Sequence, residues 1–400
     1  MRLSRNHIGF ICVTLSLMFH IFFVKFNFFP YYSLLPYILL GGVFFLLDIS
    51  TGNNKYIYNI IFILVLTMWG SISYIYNMEG DYYYLKEVIV ISIFYFFSAI
   101  AIKRIFYFFN IRYTIENVLF YILSAWGVNI ILSTIANIYP DILSLLLDFI
   151  NIDGWDKQKT LYVADYRYIG IFQSFFGFGV INSFFLILFM WYIVRYSATR
   201  LRYIFIAVYL IFSVLGLMFS RTTIIGIVLS LLLAILNFKR KNILIILCFY
   251  ILSATTILFG YSDLFSEKVM FGLELLINYE NSQAAGSMES LSSSWSILPT
   301  NMESWILGEG YFKNIDNFGS VLGYYKGTDV GFSRIIFANG VIGLVLLCGY
   351  IFFLFKMSFR GVLIPSLLFV CFLLLNVKGV ALPYSFIYLF FIMDKESYNV

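Results

Sequence analysis

The sequence predicts an all-α, polytopic membrane protein, a bundle of about twelve transmembrane helices with a large extracytoplasmic loop, and three observations predict it. Hydrophobic residues make up 62% of the 400 and charged residues only 12%, too little polar surface to cover a globule in water. The apolar residues fall in runs long enough to cross a hydrocarbon core of about 30 Å. Lys and Arg gather in short clusters between those runs, which is the pattern of membrane topology and not of a nucleic-acid surface.

Taken in order, the candidate spans are 8–24, 31–49, 56–76, 87–102, 115–137, 171–194, 203–219, 222–238, 243–260, 335–355, 361–377 and 380–393. The shorter ones suit a locally thinned bilayer or a packed helix. The opening MRLSRNHIGFICVTLSLMFHIFF has the charged flank and apolar stretch of a signal peptide without a small-residue cleavage site, so it is expected to stay as the first span. The chain thus divides into spans one to five (1–137), a first long outer loop (138–170), spans six to nine (171–260), a large outer loop (261–334), and the last three spans with a short tail (335–400).

Orientation follows from Lys and Arg in the short loops. One side carries fifteen of them, and the short loops opposite carry four: Lys25, Lys86, Arg221 and Lys378. The imbalance puts both termini in the cytoplasm and both long loops outside. In the first loop, PDILSLLLDFI has Pro140 near a helix start and an apolar face suited to the membrane interface. The second loop mixes an amphipathic stretch, a Ser-rich stretch and a Gly-rich stretch from Gly308 to Gly331. Long loops in a membrane bundle are where function concentrates.

Outer cations run against the topology rule and are therefore informative. Arg167 in DYRYIGIFQ, Arg221 in FSRTTIIG and Arg334 in VGFSRIIFANG each stand where an outer loop meets a span. A guanidinium fork at a partly dry interface suits phosphate oxygens, although an arginine at a helix end also snorkels to headgroups or caps carbonyls. Lys378 in NVKGVALPY is a further outer cation. Both histidines, His7 and His20, lie in or near the first span, so a general base on the outer face is expected to be a carboxylate, with Asp329, Asp165 and Glu309 as candidates. The four cysteines lie inside apolar runs without metal spacing. Glu79 and Asp81 stand two apart on an outer hairpin, a weak metal pattern that reads as a solvated turn.

The arrangement resembles the O-antigen polymerase family. RYIGIFQSFFGFGVINSFF is similar to the family's Arg-x-x-Gly segment, FSRTTIIGIVL to its Ser-Arg turn, and GEGYF followed by DVGFSRIIFANGVIGLVL to the end of its large outer loop; the tail LLNVKGVALPYSFIYLFF is similar as well. The resemblance implies a membrane glycosyltransferase (GT-C type) fold in the bacterial inner membrane. It implies a lipid partner, undecaprenyl-diphosphate-linked oligosaccharide, with a chain-length regulator protein as a further partner and no nucleic acid. Arg167, Arg221 and Arg334 would hold the diphosphates, Asp329 would take the acceptor proton with Arg221 in the catalytic set, and Lys378, Asp165 and Glu309 would line the substrate. No cofactor or metal is then required, because the diphosphate bond carries the energy. The related O-antigen ligases show a His in the large loop where this chain has Asp329. A flippase for lipid-linked sugars is the alternative of another class, but it calls for ionisable groups within the spans, and here they are scarce.

Overall fold

A computed structural model describes residues 5–28, 33–49, 54–78, 80–152, 157–166, 168–173, 175–197, 199–238, 293–315 and 321–393. Helices α1 (Arg5–Phe22), α2 (Leu35–Ile49) and α3 (Asn54–Tyr76) open the chain. A π-helical turn (Leu85–Val90) runs into α4 (Ile91–Phe108), followed by α5 (Ile115–Ile138), α6 (Pro140–Phe149) and α7 (Lys157–Tyr166). Next come α8 (Phe175–Arg195), α9 (Thr199–Phe219) and α10 (Thr223–Asn237). The described part of the large loop holds α11 (Met302–Leu307) and a hairpin of β1 (Lys313–Ile315) and β2 (Val321–Tyr324), and α12 (Gly331–Ser358), α13 (Leu363–Asn376) and α14 (Tyr384–Phe391) follow.

Among the described residues the protein is all-α apart from that hairpin and an isolated bridge between Phe26 and Ile150, and six helical stretches are long and apolar enough to cross a membrane: Asn54–Tyr76, Leu85–Phe108, Ile115–Ile138, Phe175–Arg195, Leu201–Phe219 and Gly331–Ser358. The expected spans 8–24, 31–49, 222–238 and 361–377 appear as shorter apolar helices, 380–393 holds the eight-residue α14, and 243–260 lies outside the described residues. The solvent is read from which side chains face out. On α2, Leu39, Val43, Leu46 and Leu47 are exposed, and α3 exposes Leu64, Met68 and Ile75 while burying Asn59 and Ser73 completely. Apolar outside with polar inside is the inverse of a water-soluble helix.

The described residues fall into two compact units, one drawn from Met1–Pro36 and Ile102–Tyr279, the other from Tyr37–Ala101 and Glu280–Met393. In the first unit α8 packs on α5, α9 and α10. Trp126 of α5 donates its indole N–H to Asn182 of α8 at 2.7 Å, a pairing that a buried indole needs in an apolar interior. Pro140 stands at the first position of α6, as its missing N–H favours. Leu143 and Leu147 of α6 are buried while Ile142, Leu145 and Phe149 stay exposed.

In the second unit α12 is central and touches α3, α11, α13 and α14. It is broken at Gly340, whose φ of +66° suits only a residue without a side chain. The break frees carbonyls that an apolar interior cannot solvate, and the three just before Gly340 take donors from elsewhere. Phe337 O accepts from the Glu309 N–H at 2.6 Å, Ala338 O from the Ser73 hydroxyl at 2.7 Å, and Asn339 O from the Trp69 indole at 2.9 Å. The backbones close so tightly that a β-carbon on Gly340 would lie 2.0 Å from the Ile306 carbonyl oxygen. Deeper in the same unit, Asn59, Ser92, Tyr350 and Tyr388 join α3, α4, α12 and α14 through buried hydrogen bonds.

Candidate functional site

The site in the second unit starts from one buried carboxylate. Asp81, just after α3, accepts the backbone N–H of Tyr83 at 2.8 Å and those of Phe312 and Lys313 at 2.7 Å each, while its own N–H donates to Gly310 O at 2.8 Å. Three donors offset the cost of burying a charge. The reading of Glu79 and Asp81 as a solvated turn is corrected at Asp81, which is buried and ties the α3 turn to the base of the hairpin; Glu79 lies outside the described residues.

The hairpin then places two rings around a cation. Lys313 pairs with Tyr324 across the strands, and the guanidinium carbon of Arg334, in the first turn of α12, lies 3.8 Å from the Tyr324 ring centroid and 4.3 Å from that of Phe312. Arg334 is 5% exposed, and its Nε has no hydrogen-bond partner. Two rings satisfy the faces of a guanidinium but not its in-plane N–H donors. A cation buried with no carboxylate in contact among the described residues, in the turn where the helix dipole opposes it, is costly to keep; the carboxylates of Glu87, Asp329 and Asp81 favour its charge only from beyond salt-bridge distance.

Two lysines of this loop cluster are paired, while Lys86 stands 5.6 Å from the Tyr83 ring centroid. Lys313 forms an ion pair with Glu87 and stands 4.6 Å from the Tyr83 ring centroid. Lys326 pairs with Glu309 at 2.8 Å and lies 4.5 Å over Phe337; its φ of +51° is unusual for a side chain with a β-carbon. The Tyr325 hydroxyl donates to Glu309 at 2.8 Å. Burial, and then this bond to a carboxylate, push the Tyr325 phenol well above its ordinary pKa.

The second unit therefore holds four of the residues singled out from sequence. Arg334 is buried and unpaired, and Glu309 is engaged by Lys326 and Tyr325. Asp329 is exposed in the segment between the hairpin and α12. Lys378 is exposed in the turn after α13. That turn is braced by Asn376, whose amide exchanges two hydrogen bonds with Ala381. It lies against the start of α12, since a β-carbon on Gly331 would stand 2.5 Å from the Gly379 carbonyl oxygen.

The first unit holds Arg221 and Asp165. Arg221 is half-buried in the turn between α9 and α10, and burial lowers its pKa from the ordinary guanidinium value. The turn is fixed by Ser220 and Thr222, whose hydroxyls are 2.8 Å apart, and by Ser183, which donates to Thr222 O at 3.0 Å. Asp165 is exposed near the end of α7, and Arg167 lies outside the described residues. The segment after it is held by a polar stripe on α5. Asn137 bonds both backbone groups of Ile169 at 2.7 and 2.9 Å, and Ser133 accepts the Ile171 N–H at 3.0 Å.

Sequence reading missed Phe312, Tyr324 and the Glu87–Lys313 pair. A hint was present in the aromatic runs GYFK and GYYK at the two ends of the hairpin. An apolar groove of about 560 Å³ runs along α12 and α13, lined by Phe332, Leu344, Cys348, Phe352 and Phe369. Among the described residues no three His, Cys, Asp or Glu side chains are grouped closely enough to share a metal ion. Comparison with known protein families, characterised proteins and solved structures finds no match for the chain.

Proposed function

We propose that this chain is a polymerase of lipid-linked sugar repeat units, of the O-antigen polymerase type. It is a glycosyltransferase of the GT-C kind with about twelve spans, set in a bacterial inner membrane with both termini in the cytoplasm and the long loops outside. The observation that carries the reading is Arg334, whose buried guanidinium has no salt-bridge partner among the described residues and is flanked by two rings at the head of an apolar helix that also bears an apolar groove along its length.

The donor is a glycan on undecaprenyl diphosphate, and the acceptor is a second lipid-linked unit. A hydroxyl of the acceptor attacks the donor's anomeric carbon, the bond from that carbon to the diphosphate oxygen breaks, and the lipid diphosphate leaves. Charge grows on that oxygen as the bond breaks, and donors already aimed at it lower the barrier. Arg334 supplies two such donors in one plane. The acceptor proton goes to a carboxylate, with Asp329 the candidate by its position five residues before Arg334. Arg167, Arg221 and Lys378 keep the diphosphate-binding and substrate-binding roles that the family resemblance implies.

The test is purified protein in liposomes supplied only with lipid-linked repeat units. Ladders of longer glycan support the polymerase. Rapid leaflet exchange without extension replaces it with the flippase reading, and transfer only to an added lipid A core replaces it with the ligase reading.

A further inference from the structure

Two stacked tyrosine pairs adjoin the residues that frame Arg334, Tyr311 next to Phe312 and Tyr325 next to Tyr324 in one, Tyr82 and Tyr83 in the other. The rings of Tyr82 and Tyr83 stack with centroids 4.9 Å apart and planes 17° from parallel. Those of Tyr311 and Tyr325 stack at 4.9 Å and 11°. Asp81 joins the two pairs, since it accepts from the backbone of Tyr83 on one side and of Phe312 and Lys313 on the other. Tyr82 is 54% exposed, and Tyr83, Tyr311 and Tyr325 are partly exposed.

We propose that these two pairs form a carbohydrate-binding platform that seats the glycan of the acceptor beside Arg334, an inference that rests on the function proposed above. A pyranose has a face rich in C–H groups and an edge of hydroxyls. Rigid tyrosine rings offer a matching apolar face at little conformational cost. Each ring pair is backed by a lysine–carboxylate pair, Lys313 with Glu87 standing over the Tyr83 ring and Lys326 with Glu309 over the Tyr325 ring, so a sugar meets the pairs from the side of Tyr82 and of Tyr311. A paired lysine and carboxylate present donors and acceptors together with little net charge, which suits neutral hydroxyls. Interfacial tyrosines that merely mark the headgroup level have no need of partners that fix their rings, whereas the Tyr325 hydroxyl is held by Glu309.

The experiment uses the full chain in nanodiscs and, as probe, lipid-free oligosaccharide released from the producing cell's own surface polysaccharide, with binding followed by calorimetry and saturation-transfer NMR. Tyr82→Ala and Tyr325→Ala are each expected to weaken binding about three- to tenfold, while Tyr82→Phe binds within about twofold of the native chain because stacking survives. Unfolding temperatures of all variants verify that the fold is intact. Native protein that fails to bind the probe, or alanine variants that fold and bind as well as it does, overturn the platform; so does a loss confined to binding of anionic lipid vesicles. Tyrosine-dependent binding in a chain that extends no lipid-linked unit keeps the platform and removes the polymerase, whereas extension with tyrosine-independent binding does the reverse.

Discussion

The guanidinium carbon of Arg334 lies 3.8 Å from the centroid of the Tyr324 ring. Tyr324 belongs to a strand exposed along its whole length, so the ring closes a buried cation off from the loop side. The stack orients the fork and leaves its N–H edge for a ligand.

Replacing Arg334 by Ala is expected to separate activity from stability. Chain extension should fall roughly 100-fold in kcat/KM for the lipid-linked donor. The unfolding temperature should hold or rise, because the change removes a buried charge whose desolvation outweighs its attraction to Glu87, Asp329 and Asp81. Arg334→Lys should restore no more than about a tenth of the lost activity, since a point charge lacks the planar fork. A coincident drop in unfolding temperature would make Arg334 structural.

The break in α12 gives the opposite result. Gly340→Ala places a β-carbon 2.0 Å from the Ile306 carbonyl oxygen at a φ where side chains cost about 1–2 kcal/mol before any clash. The expected loss is at least about 2 kcal/mol, visible as a lowered midpoint in detergent unfolding. Ser73→Ala should lose less, about 1 kcal/mol, for one hydroxyl bond to the freed carbonyls.

The spans were legible where a long apolar run sufficed to define them, as at α3, α5 and α8. At α12 the run predicted 335–355, whereas the helix starts at Gly331 and breaks at Gly340. An apolar pattern does not report that Trp69 and Ser73, on another helix, stand ready to take the carbonyls. Arg334 was legible as a cation placed against the topology rule. Its ring partners were not, because Phe312 and Tyr324 reach it through a strand pairing of three and four residues, too short for alternation to show. Asp81 read as solvated for a similar reason, since two of its three donors come from residues more than 200 positions away.

Tyr325 sets a pH limit on the loop. Its phenol is held above the ordinary value of about 10 by burial and by its bond to Glu309. A raised folded pKa means the unfolded chain loses its proton first as pH rises, so the bond's contribution is complete below about pH 10 and is lost as pH climbs through the folded value. Stability measured from pH 8 to 11 should decline above about 10, and Tyr325→Phe should remove that part of the decline. A native chain and a Tyr325→Phe chain with the same alkaline profile would rule the bond out as its source.

The groove along α12 and α13 can be closed without disturbing the fold. Gly349 contributes to its wall, and a β-carbon added there meets no atom within 4 Å. Gly349→Phe should therefore cost little stability, because the new ring projects into open space and glycine in a helix is itself unfavourable by about 1 kcal/mol relative to alanine. A lipid tail sharing that space would be displaced, so KM for a donor on a full-length polyprenyl chain should rise about tenfold, while a donor on a short prenyl chain, which leaves the groove empty, should be used equally by both proteins. The comparison of long and short donors is what ties the effect to the tail, since damage to the Arg334 site would slow both alike. Equal KM values for the long donor in the two proteins would show that the tail runs elsewhere.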